Sequence, residues 1–281
     1  MLTLHKGSPL RAAATKRNHT TLFVNMKKFE MDFTVVENEH ISPLYSLLIL
    51  TPAEGHVPEC APGQFVQVEV PNSKSTFLRR PISINFADHE RDELWLLVRR
   101  AGSGTAALIG THEGDKLNLV LPLGHGFDAA PKGGKALLVG GGVGVAPLLE
   151  LGKAMSHNGV EVEFLLGARS KSDLLELGLF ERYGKVHVAT EDGSMGEKGF
   201  VTQHSALGGN VTHIACCGPQ PMMKAVAKIA AERGIDCEVS LENMMACGLG
   251  ACLCCVEDTA DSGNVCVCKE GPVFNIKRLK W

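Results

Sequence analysis

Closely spaced cysteines near the end of the chain constrain its fold more than any other feature. Cys247, Cys252 and Cys255 follow the spacing C-x4-C-x2-C, and a fourth cysteine comes later, at Cys266 or Cys268. This is the plant-type ligand spacing of a [2Fe–2S] cluster, in which one short loop delivers three thiolates. The fourth thiolate is expected to return from a separate strand, and spacing alone does not decide which of the two later cysteines supplies it.

Other roles for these cysteines fit the spacing less well. A structural zinc site usually has two close pairs of cysteines, whereas a single cysteine follows the close pair here. A disulfide network is disfavoured because no secretion signal precedes the segment. Cys254 adjoins Cys255 and would break the two-residue spacing, so it is left out of the ligand set. Gly248 and Gly250 support a cluster, because glycines let backbone N–H groups approach its sulfurs.

Composition limits the remaining possibilities. The chain has 281 residues, of which 44% are hydrophobic and 31 are glycines, and this fits two ordinary globular domains plus a small third one. The formal net charge of -3 gives no electrostatic reason to expect nucleic acid or an anionic membrane as a partner. No apolar run is long enough to span a membrane. Ten cysteines without a signal peptide indicate a reducing compartment, so a cytoplasmic location is expected.

The order of short segments predicts the domain organisation. Residues 1–30 are expected to be a disordered extension. Residues 31–130 contain six β-branched or alternating segments separated by turn residues, which predict an antiparallel β-barrel. In residues 135–241 strands alternate with helices, one of them expected over Ser170–Gly184, so a parallel sheet of α/β type is predicted. Residues 242–281 form the small cluster unit, and the fold class is therefore all-β plus α/β.

A glycine-rich turn follows the first strand of the α/β unit and opens a helix. It contains Gly140, Gly141, Gly142 and Gly144. Glycines let the backbone approach a pyrophosphate, and the N-terminus of the helix favours the anion. A tight turn without a ligand would have the same sequence. Because position 145 is Val, the run is not the G-x-G-x-x-G fingerprint, and an arrangement related to the standard Rossmann site is predicted.

Three further motifs are ambiguous when each is taken alone. Arg79–Ser83 combines arginine with a hydroxyl at the start of a strand, which suits a phosphate but also suits a solvated charge pair. Gly102–Thr105 is a glycine turn before a short apolar helix, and Cys217–Pro219 is a thiol and a turn after a strand. No Ser/His/Asp or Cys/His arrangement stands out, so no catalytic side chain is predicted.

Taken in order along the chain, these motifs resemble those of the ferredoxin–NADP reductase superfamily. The cysteine segment, which continues from Cys268 into KEGPVF, is similar to that of the electron-transfer subunit of class B dihydroorotate dehydrogenase. The resemblance covers roughly residues 31–274. It implies a barrel domain that binds FAD, an α/β domain that binds NAD(H), and a C-terminal [2Fe–2S] domain.

The resemblance also implies which residues contact each cofactor. Those expected at FAD are Arg80, Pro81, Ile82, Ser83, Leu97, Val98, Arg99, Gly104 and Thr105. Those expected at NAD(H) are Gly140, Gly141, Gly142, Gly144, Cys217, Gly218 and Pro219. The implied cluster ligands are Cys247, Cys252, Cys255 and Cys268, the last because it directly precedes KEGPVF.

The implied function is electron transfer in pyrimidine biosynthesis. NADH gives up two electrons as a hydride and a [2Fe–2S] cluster accepts one, so a flavin must lie between them. The implied partner is an FMN-containing dihydroorotate dehydrogenase catalytic subunit, in a heterotetramer with two copies of each chain. A sulfide dehydrogenase or a bifurcating ferredoxin–NADP transhydrogenase would use the same circuit with another partner. A zinc-stabilised nucleotide-binding module without a redox role is the third possibility.

The cluster unit is also expected to provide a docking surface. It is rich in apolar side chains, part of which should pack internally while the rest faces the partner. These residues are Met244, Met245, Ala246, Leu249, Leu253, Val273 and Phe274.

Overall fold

A computed structural model describes residues 27–71, 73, 76–131 and 134–281. These residues form two seven-stranded sheets and a two-stranded hairpin. The extension predicted over residues 1–30 lies almost entirely outside the described residues, and the first strand begins at Phe29. Among the helices described, none is both long enough and apolar enough to cross a bilayer.

The first sheet is antiparallel throughout, as the alternating segments predicted. Its strands are β1 (Phe29–Ser42), β2 (Tyr45–Pro52), β3 (Phe65–Val68), β4 (Arg80–Ser83), β5 (Phe86–Asp88), β6 (Glu93–Arg99) and β7 (Lys116–Leu123). Their order is β4-β3-β7-β1-β2-β6-β5. Helix α1 (Ser103–Ile109) follows β6.

The barrel closes where the segment PISINF divides into two strands. Ile84 N donates to Gln64 O at 3.0 Å, while the next residue, Asn85, donates from its backbone N to Trp95 O at 3.0 Å. The chain therefore passes from one end strand of the sheet to the other within two residues. This step places β4 and β6 side by side.

The remaining elements form the α/β unit and the cluster unit. In chain order they are β8 (Lys135–Gly141), α2 (Ala146–His157), β9 (Glu161–Ala168), α3 (Leu177–Phe180), β10 (Lys185–Thr190), β11 (Glu197–Lys198), β12 (His213–Cys217), α4 (Gln220–Glu232), β13 (Asp236–Ser240), β14 (Val256–Thr259), β15 (Gly263–Cys266), α5 (Val267–Glu270) and β16 (Val273–Asn275). The second sheet has the order β11-β10-β9-β8-β12-β13-β16, and β14 pairs with β15 in the hairpin. In the second sheet the six strands from β11 to β13 in this order pair in parallel, as predicted from the alternation of strands and helices.

Strand β16 joins the cluster unit to the second sheet. It pairs antiparallel with β13, with Phe274 opposite Val239. Phe274 is buried in the same hydrophobic core as Phe65 of the barrel and the two thiols Cys255 and Cys268. Burial of one such aromatic side chain contributes about 1.5–3 kcal/mol. The cluster unit therefore shares its core with both sheets.

The single helix predicted over Ser170–Gly184 is wrong. A 3-10 turn occupies Lys171–Asp173 and the short α3 follows it. Glu176 between them has φ of 55°, in the left-handed region that a right-handed helix cannot contain. Asn85 Nδ2 of the barrel donates to Glu176 Oε2 at 2.9 Å, so a tertiary contact holds this break.

The Glu176 carboxyl lies between the barrel and the second sheet. Burial raises the pKa of Glu176 to about 8, and repulsion from Glu39 adds to the effect. Oε1 of Glu176 and Oδ1 of Asn85 are buried without a partner among the described residues. A proton on Glu176 would give this carboxyl a donor, and the folded chain therefore favours the neutral acid.

Glu176 predicts how stability depends on pH. Its pKa rises from 4.5 in the unfolded chain to about 8 in the folded chain. Between these values the folded chain binds the proton more tightly, so the free energy of unfolding should fall as pH rises. In Glu176→Gln this fall should be smaller by up to about 5 kcal/mol across this pH range, measured by urea unfolding at several pH values. The exposed Glu181→Gln is the control, and an equal pH dependence in both variants would contradict the assignment.

Candidate flavin, nucleotide and iron–sulfur sites

The predicted cluster ligands lie on one loop and one helical turn. Cys247, Cys252 and Cys255 lie between β13 and β14, and Cys268 lies in α5. Cys255 and Cys268 are buried, whereas Cys252 is exposed and Cys247 is intermediate. Of the two candidates for the fourth thiol, Cys266 ends β15 and Cys268 lies in α5, which follows β15 directly.

Backbone N–H groups point at the sulfurs of these cysteines. Leu249 N donates to Cys247 Sγ at 3.4 Å, Gly250 N donates to Cys268 Sγ at 3.1 Å, and the N–H of Cys268 donates to Cys255 Sγ at 3.3 Å. Hydrogen bonds of this kind stabilise thiolates and tune an iron–sulfur cluster. The loop is therefore arranged for sulfurs that carry negative charge.

Gly250 distinguishes the two candidates for the fourth ligand. Its N–H donates to Cys268 Sγ, whereas its C=O accepts from Cys266 Sγ at 3.8 Å. A thiolate can only accept, so the contact of Cys268 suits a ligand and that of Cys266 suits a protonated thiol. The structure favours Cys268, the ligand that the resemblance implied.

The candidate thiols act on one another's pKa values. Cys252 lowers the pKa of Cys247, whereas Cys255 raises the pKa of Cys268. A binuclear cluster uses two thiolates on each iron, whereas structural zinc draws four ligands around one ion.

The pKa values of Cys247 and Cys268 show that a metal centre must supply positive charge to hold both thiols as thiolates. Although partial burial raises the pKa of Cys247, hydrogen bonds from backbone N–H groups outweigh it and lower this pKa to about 6. Burial and the adjacent Cys255 raise the pKa of Cys268 to about 12. Positive charge from iron would stabilise the buried thiolates together, since metal coordination deprotonates a thiol outright.

The two adjacent arginines of the barrel have different surroundings. Arg79 donates to Asn118 Oδ1 at 2.6 Å and forms ion pairs with Glu30 at 3.0 Å and Glu69 at 3.4 Å. Arg80 contacts no carboxylate within the described ranges, and its one hydrogen bond is to its neighbour's carbonyl oxygen. Arg80 thus keeps its guanidinium available for an anion, as the resemblance implied.

The glycine-containing first turn of α1 packs directly against Arg80. A Cβ at Gly104 would lie 2.4 Å from Arg80 Nε, so any larger residue would displace the Arg80 side chain. The Thr105 hydroxyl accepts from the backbone N–H groups of Ala101 at 2.8 Å and Gly102 at 3.1 Å. The structure therefore brings Arg80 and this turn together, with Thr105 shaping the turn.

The other residues expected at FAD lie on β4 and β6. Pro81, Ile82 and Ser83 are half-buried. On β6, Leu97 packs towards the second sheet and Val98 packs inside the barrel, while Arg99 is exposed.

The two motifs expected at NAD(H) meet at the carboxyl ends of β8 and β12. Cys217 pairs with Gly140, and a Cβ at Gly144 would lie 2.5 Å from Cys217 O. Gly218 has φ of 152°, a conformation that favours glycine. The glycine turn thus approaches the Cys217–Gly218 backbone as closely as main chains can. The carboxyl ends of parallel strands are where such sheets bind ligands.

The Cys217 thiol stays protonated at the end of β12. Burial raises its pKa well above the ordinary range, and the nearby Glu242 adds to this. Burial also raises the pKa of Glu242, and the positive charge of Arg99 only partly offsets this rise. No sequence motif indicated a role for Glu242. Its only mark in the sequence is that it is an acidic residue at the start of the cluster unit. The structure places it among residues predicted for FAD, NAD(H) and the cluster unit.

Comparison with known proteins assigns this arrangement. Residues 242–280 match the iron–sulfur cluster binding domain of dihydroorotate dehydrogenase B, and residues 138–228 match an oxidoreductase NAD-binding domain. The dihydroorotate dehydrogenase B (NAD+) electron transfer subunit of Geobacillus sp. (strain WCH70) is 40% identical over 259 residues, which cover 89% of this chain and 97% of that protein.

The chain belongs to this family of electron transfer subunits. A second member, from Geobacillus thermodenitrificans (strain NG80-2), is 42% identical over 220 residues, or 76% of this chain and 84% of that protein. Among solved structures, an NADH-dependent reduced ferredoxin–NADP oxidoreductase studied for flavin-based electron bifurcation is 29% identical. It has a TM-score of 0.79 and covers 89% of this chain and 90% of its own.

Family membership confirms several predictions made from the sequence. The predicted fold class is confirmed, and the chain is an NAD-linked oxidoreductase subunit for electron transfer. The predicted cofactors, FAD, an iron–sulfur cluster and NAD(H), are those of this family and fold. The contacts of individual residues with these cofactors stay predictions.

The ligand assignment predicts which cysteines the cluster needs. Cys252→Ser and Cys255→Ser should abolish the visible bands of the cluster while FAD stays bound, because the residues predicted to bind FAD lie on the barrel. Cys268→Ser should lower the iron content, and its matched control, Cys266→Ser, should leave it unchanged. Iron and sulfide analysis of the purified variants checks this. Normal iron in Cys268→Ser with loss in Cys266→Ser would show that the ligand is the earlier thiol.

Arg80 and Arg79 form a matched pair for flavin binding. A charge-assisted hydrogen bond contributes roughly 1.5–3 kcal/mol, so Arg80→Ala should weaken FAD binding by at least about tenfold. Arg79→Ala should cost stability through its lost partners and leave FAD affinity within about twofold of the parent. Fluorescence titration of the FAD-stripped protein gives both affinities. Equal weakening in both variants would contradict a specific role for Arg80.

Proposed function

We propose that the chain carries electrons between NAD(H) and an FMN-containing dihydroorotate dehydrogenase catalytic subunit through FAD and a [2Fe–2S] cluster. As an electron transfer subunit it has a separate catalytic partner. The observation that carries the proposal is the loop with candidate thiols and N–H···S hydrogen bonds, packed in one core with both sheets. This chemistry serves the oxidation of dihydroorotate in pyrimidine biosynthesis.

The proposed division of labour follows the predicted domain boundaries. Residues 31–130 hold FAD, residues 135–241 hold NAD(H), and residues 242–281 hold the cluster. The two sheets lie within the first two ranges, apart from β16, which the cluster unit contributes to the second sheet. This strand holds the cluster unit against the nucleotide domain.

The chain's own residues bind and position the cofactors. FAD, when bound, connects the two-electron chemistry of NADH with the one-electron chemistry of the cluster. Arg80 provides positive charge for the flavin phosphates, and the glycine turn after β8 admits the pyrophosphate of NAD(H). The protonated Cys217 offers a neutral contact for the nicotinamide. Hydride transfer needs no acid or base from the protein, which agrees with the prediction of no catalytic side chain.

The surface of the cluster loop supports a docking role. Leu249 and Leu253 are 46% and 66% exposed, and Met244 is 84% exposed, whereas Val273 and Phe274 are buried. Leu253 has φ of 57°, an uncommon conformation for a residue of its type. We assign these three exposed side chains to the contact with the catalytic subunit. Two copies of each chain would form the complex that the resemblance implied.

A reducing compartment, the cytoplasm, suits this function. No disulfide joins any of the ten cysteines, and the buried Cys216 and Cys237, which have no cofactor role, would be ordinary core residues. Oxidising surroundings would instead favour disulfides between the closely spaced thiols of the cluster loop.

The second candidate function is electron transfer through the same cofactors to a different partner protein. The electron-bifurcating oxidoreductase shares the fold at 29% identity, whereas dihydroorotate dehydrogenase subunits reach 42%. The higher identities favour dihydroorotate over sulfide dehydrogenase or transhydrogenase chemistry.

Coupled activity tests the proposed function. The isolated chain should reduce artificial dyes with NADH but should not oxidise dihydroorotate, and adding an FMN-containing catalytic subunit should create NAD-dependent dihydroorotate oxidation. Leu253→Asp should lower the coupled rate by at least about tenfold, because docking would bury an unpaired charge. Dye reduction should change by less than about twofold.

The control variant is Leu44→Asp, at an apolar residue of the barrel that is 47% exposed. It should leave the coupled rate near that of the parent. Oxidation of dihydroorotate by the isolated chain, or failure of any such subunit to couple, would overturn the assignment.

A further inference from the structure

Gln67 is a buried polar residue that the chain itself does not satisfy. Its side chain is 1% exposed, and neither Nε2 nor Oε1 has a hydrogen-bond partner in the described part of the chain. An amide buried in this way costs free energy, so native proteins normally pair it with protein, water or a ligand. An apolar side chain would suit this position better if nothing were there to bind.

The alternation of β3 directs Gln67 away from the barrel interior. Val66 and Val68 pack inside the barrel, whereas Phe65 packs in the core that contains Cys255 and Cys268. Gln67 is on the face of Phe65, because side chains two residues apart on a strand share a face. It therefore faces the cluster unit.

The Gln67 amide lies directly against the cluster loop. A Cβ at Gly248 would be 2.7 Å from Gln67 Cγ and 2.8 Å from its Nε2. Gly248 has φ of 69° and follows the proposed ligand Cys247. On the other side, Gln67 pairs with Pro81 of β4, the strand predicted to contact FAD. Gln67 thus stands between the strand of the flavin site and the loop of the cluster.

We propose that the Gln67 amide donates a hydrogen bond to a sulfur on the Cys247 side of the cluster and raises its reduction potential. The proposal rests on the cluster ligands given under the proposed function. Thiolate and sulfide sulfurs only accept hydrogen bonds, so the amide N–H is the group that suits them. Backbone donors reach Cys247 and Cys268 from the loop itself, and Gln67 is a side-chain donor from the barrel.

The direction of the effect follows from charge. Reduction adds one negative charge to the cluster, and a hydrogen-bond donor stabilises the more negative state. Loss of the donor must therefore lower the potential. Through this direct contact the Gln67 amide, which belongs to the flavin domain, would set the driving force of electron transfer to the cluster.

Redox titration of the holoprotein, followed by the electron paramagnetic resonance signal of the reduced cluster, tests the proposal. Gln67→Leu and Gln67→Met remove the donor and keep most of the volume. In each variant the equilibrium constant for reduction should fall about tenfold, which is about 59 mV for a one-electron couple. Thermal stability of the cofactor-free protein should stay level or rise, because an unsatisfied amide is removed.

Gln64→Leu is the matched control, since Gln64 is buried in the segment that leads into the same strand. Its amide is satisfied by the protein, accepting from Ala61 N at 2.7 Å and donating to Gly124 O at 2.8 Å. This variant should lose stability and keep the parent potential. An unchanged potential in Gln67→Leu or Gln67→Met with normal iron content would overturn the proposal. Absence of iron from the parent protein would instead overturn the proposed function.

Discussion

The pairing of β16 with β13 joins the cluster unit to the nucleotide sheet, and the other contacts of that unit depend on it. The hydrogen-bonded edge fixes Phe274 opposite Val239 and brings α5, with Cys268, next to the core of the second sheet. Phe65 reaches the same core from the barrel. A small unit with three candidate thiols on a loop and a fourth in α5, which cannot fold independently around so little apolar surface, is thereby held against two larger units.

This shared core also explains how the three proposed cofactor sites can lie close together. The carboxyl ends of β8 and β12 carry the nucleotide motifs, and Glu242 leads from the end of β13 into the cluster loop. Arg99 of the barrel lies near enough to Glu242 to act on its pKa, and Glu242 in turn acts on Cys217. Electrons would then move between units that a single packed interface positions, without a large domain motion.

The sequence predicted those features of the fold and site that depend on local geometry. The strand, the glycine turn at 140–144 and the helix after it depend only on neighbouring residues and take the predicted form, and the segment with the C-x4-C-x2-C spacing matches an iron–sulfur cluster binding domain. Features set by distant contacts were not predictable. Cys268 accepts from the N–H of Gly250 whereas Cys266 donates to its carbonyl oxygen, and the break at Glu176 depends on Asn85, which is 91 residues away in the chain. The different environments of Arg79 and Arg80, and the unsatisfied amide of Gln67, likewise appear only in three dimensions.

The central claim is that the candidate thiols hold a two-iron cluster beside a flavin. The most direct measurement is the metal, sulfide and flavin content of the purified full chain, together with its visible spectrum. We expect two iron atoms, two acid-labile sulfides and one FAD per chain, in a yellow-brown protein that NADH bleaches. A colourless protein with one zinc ion per chain and no flavin would contradict it.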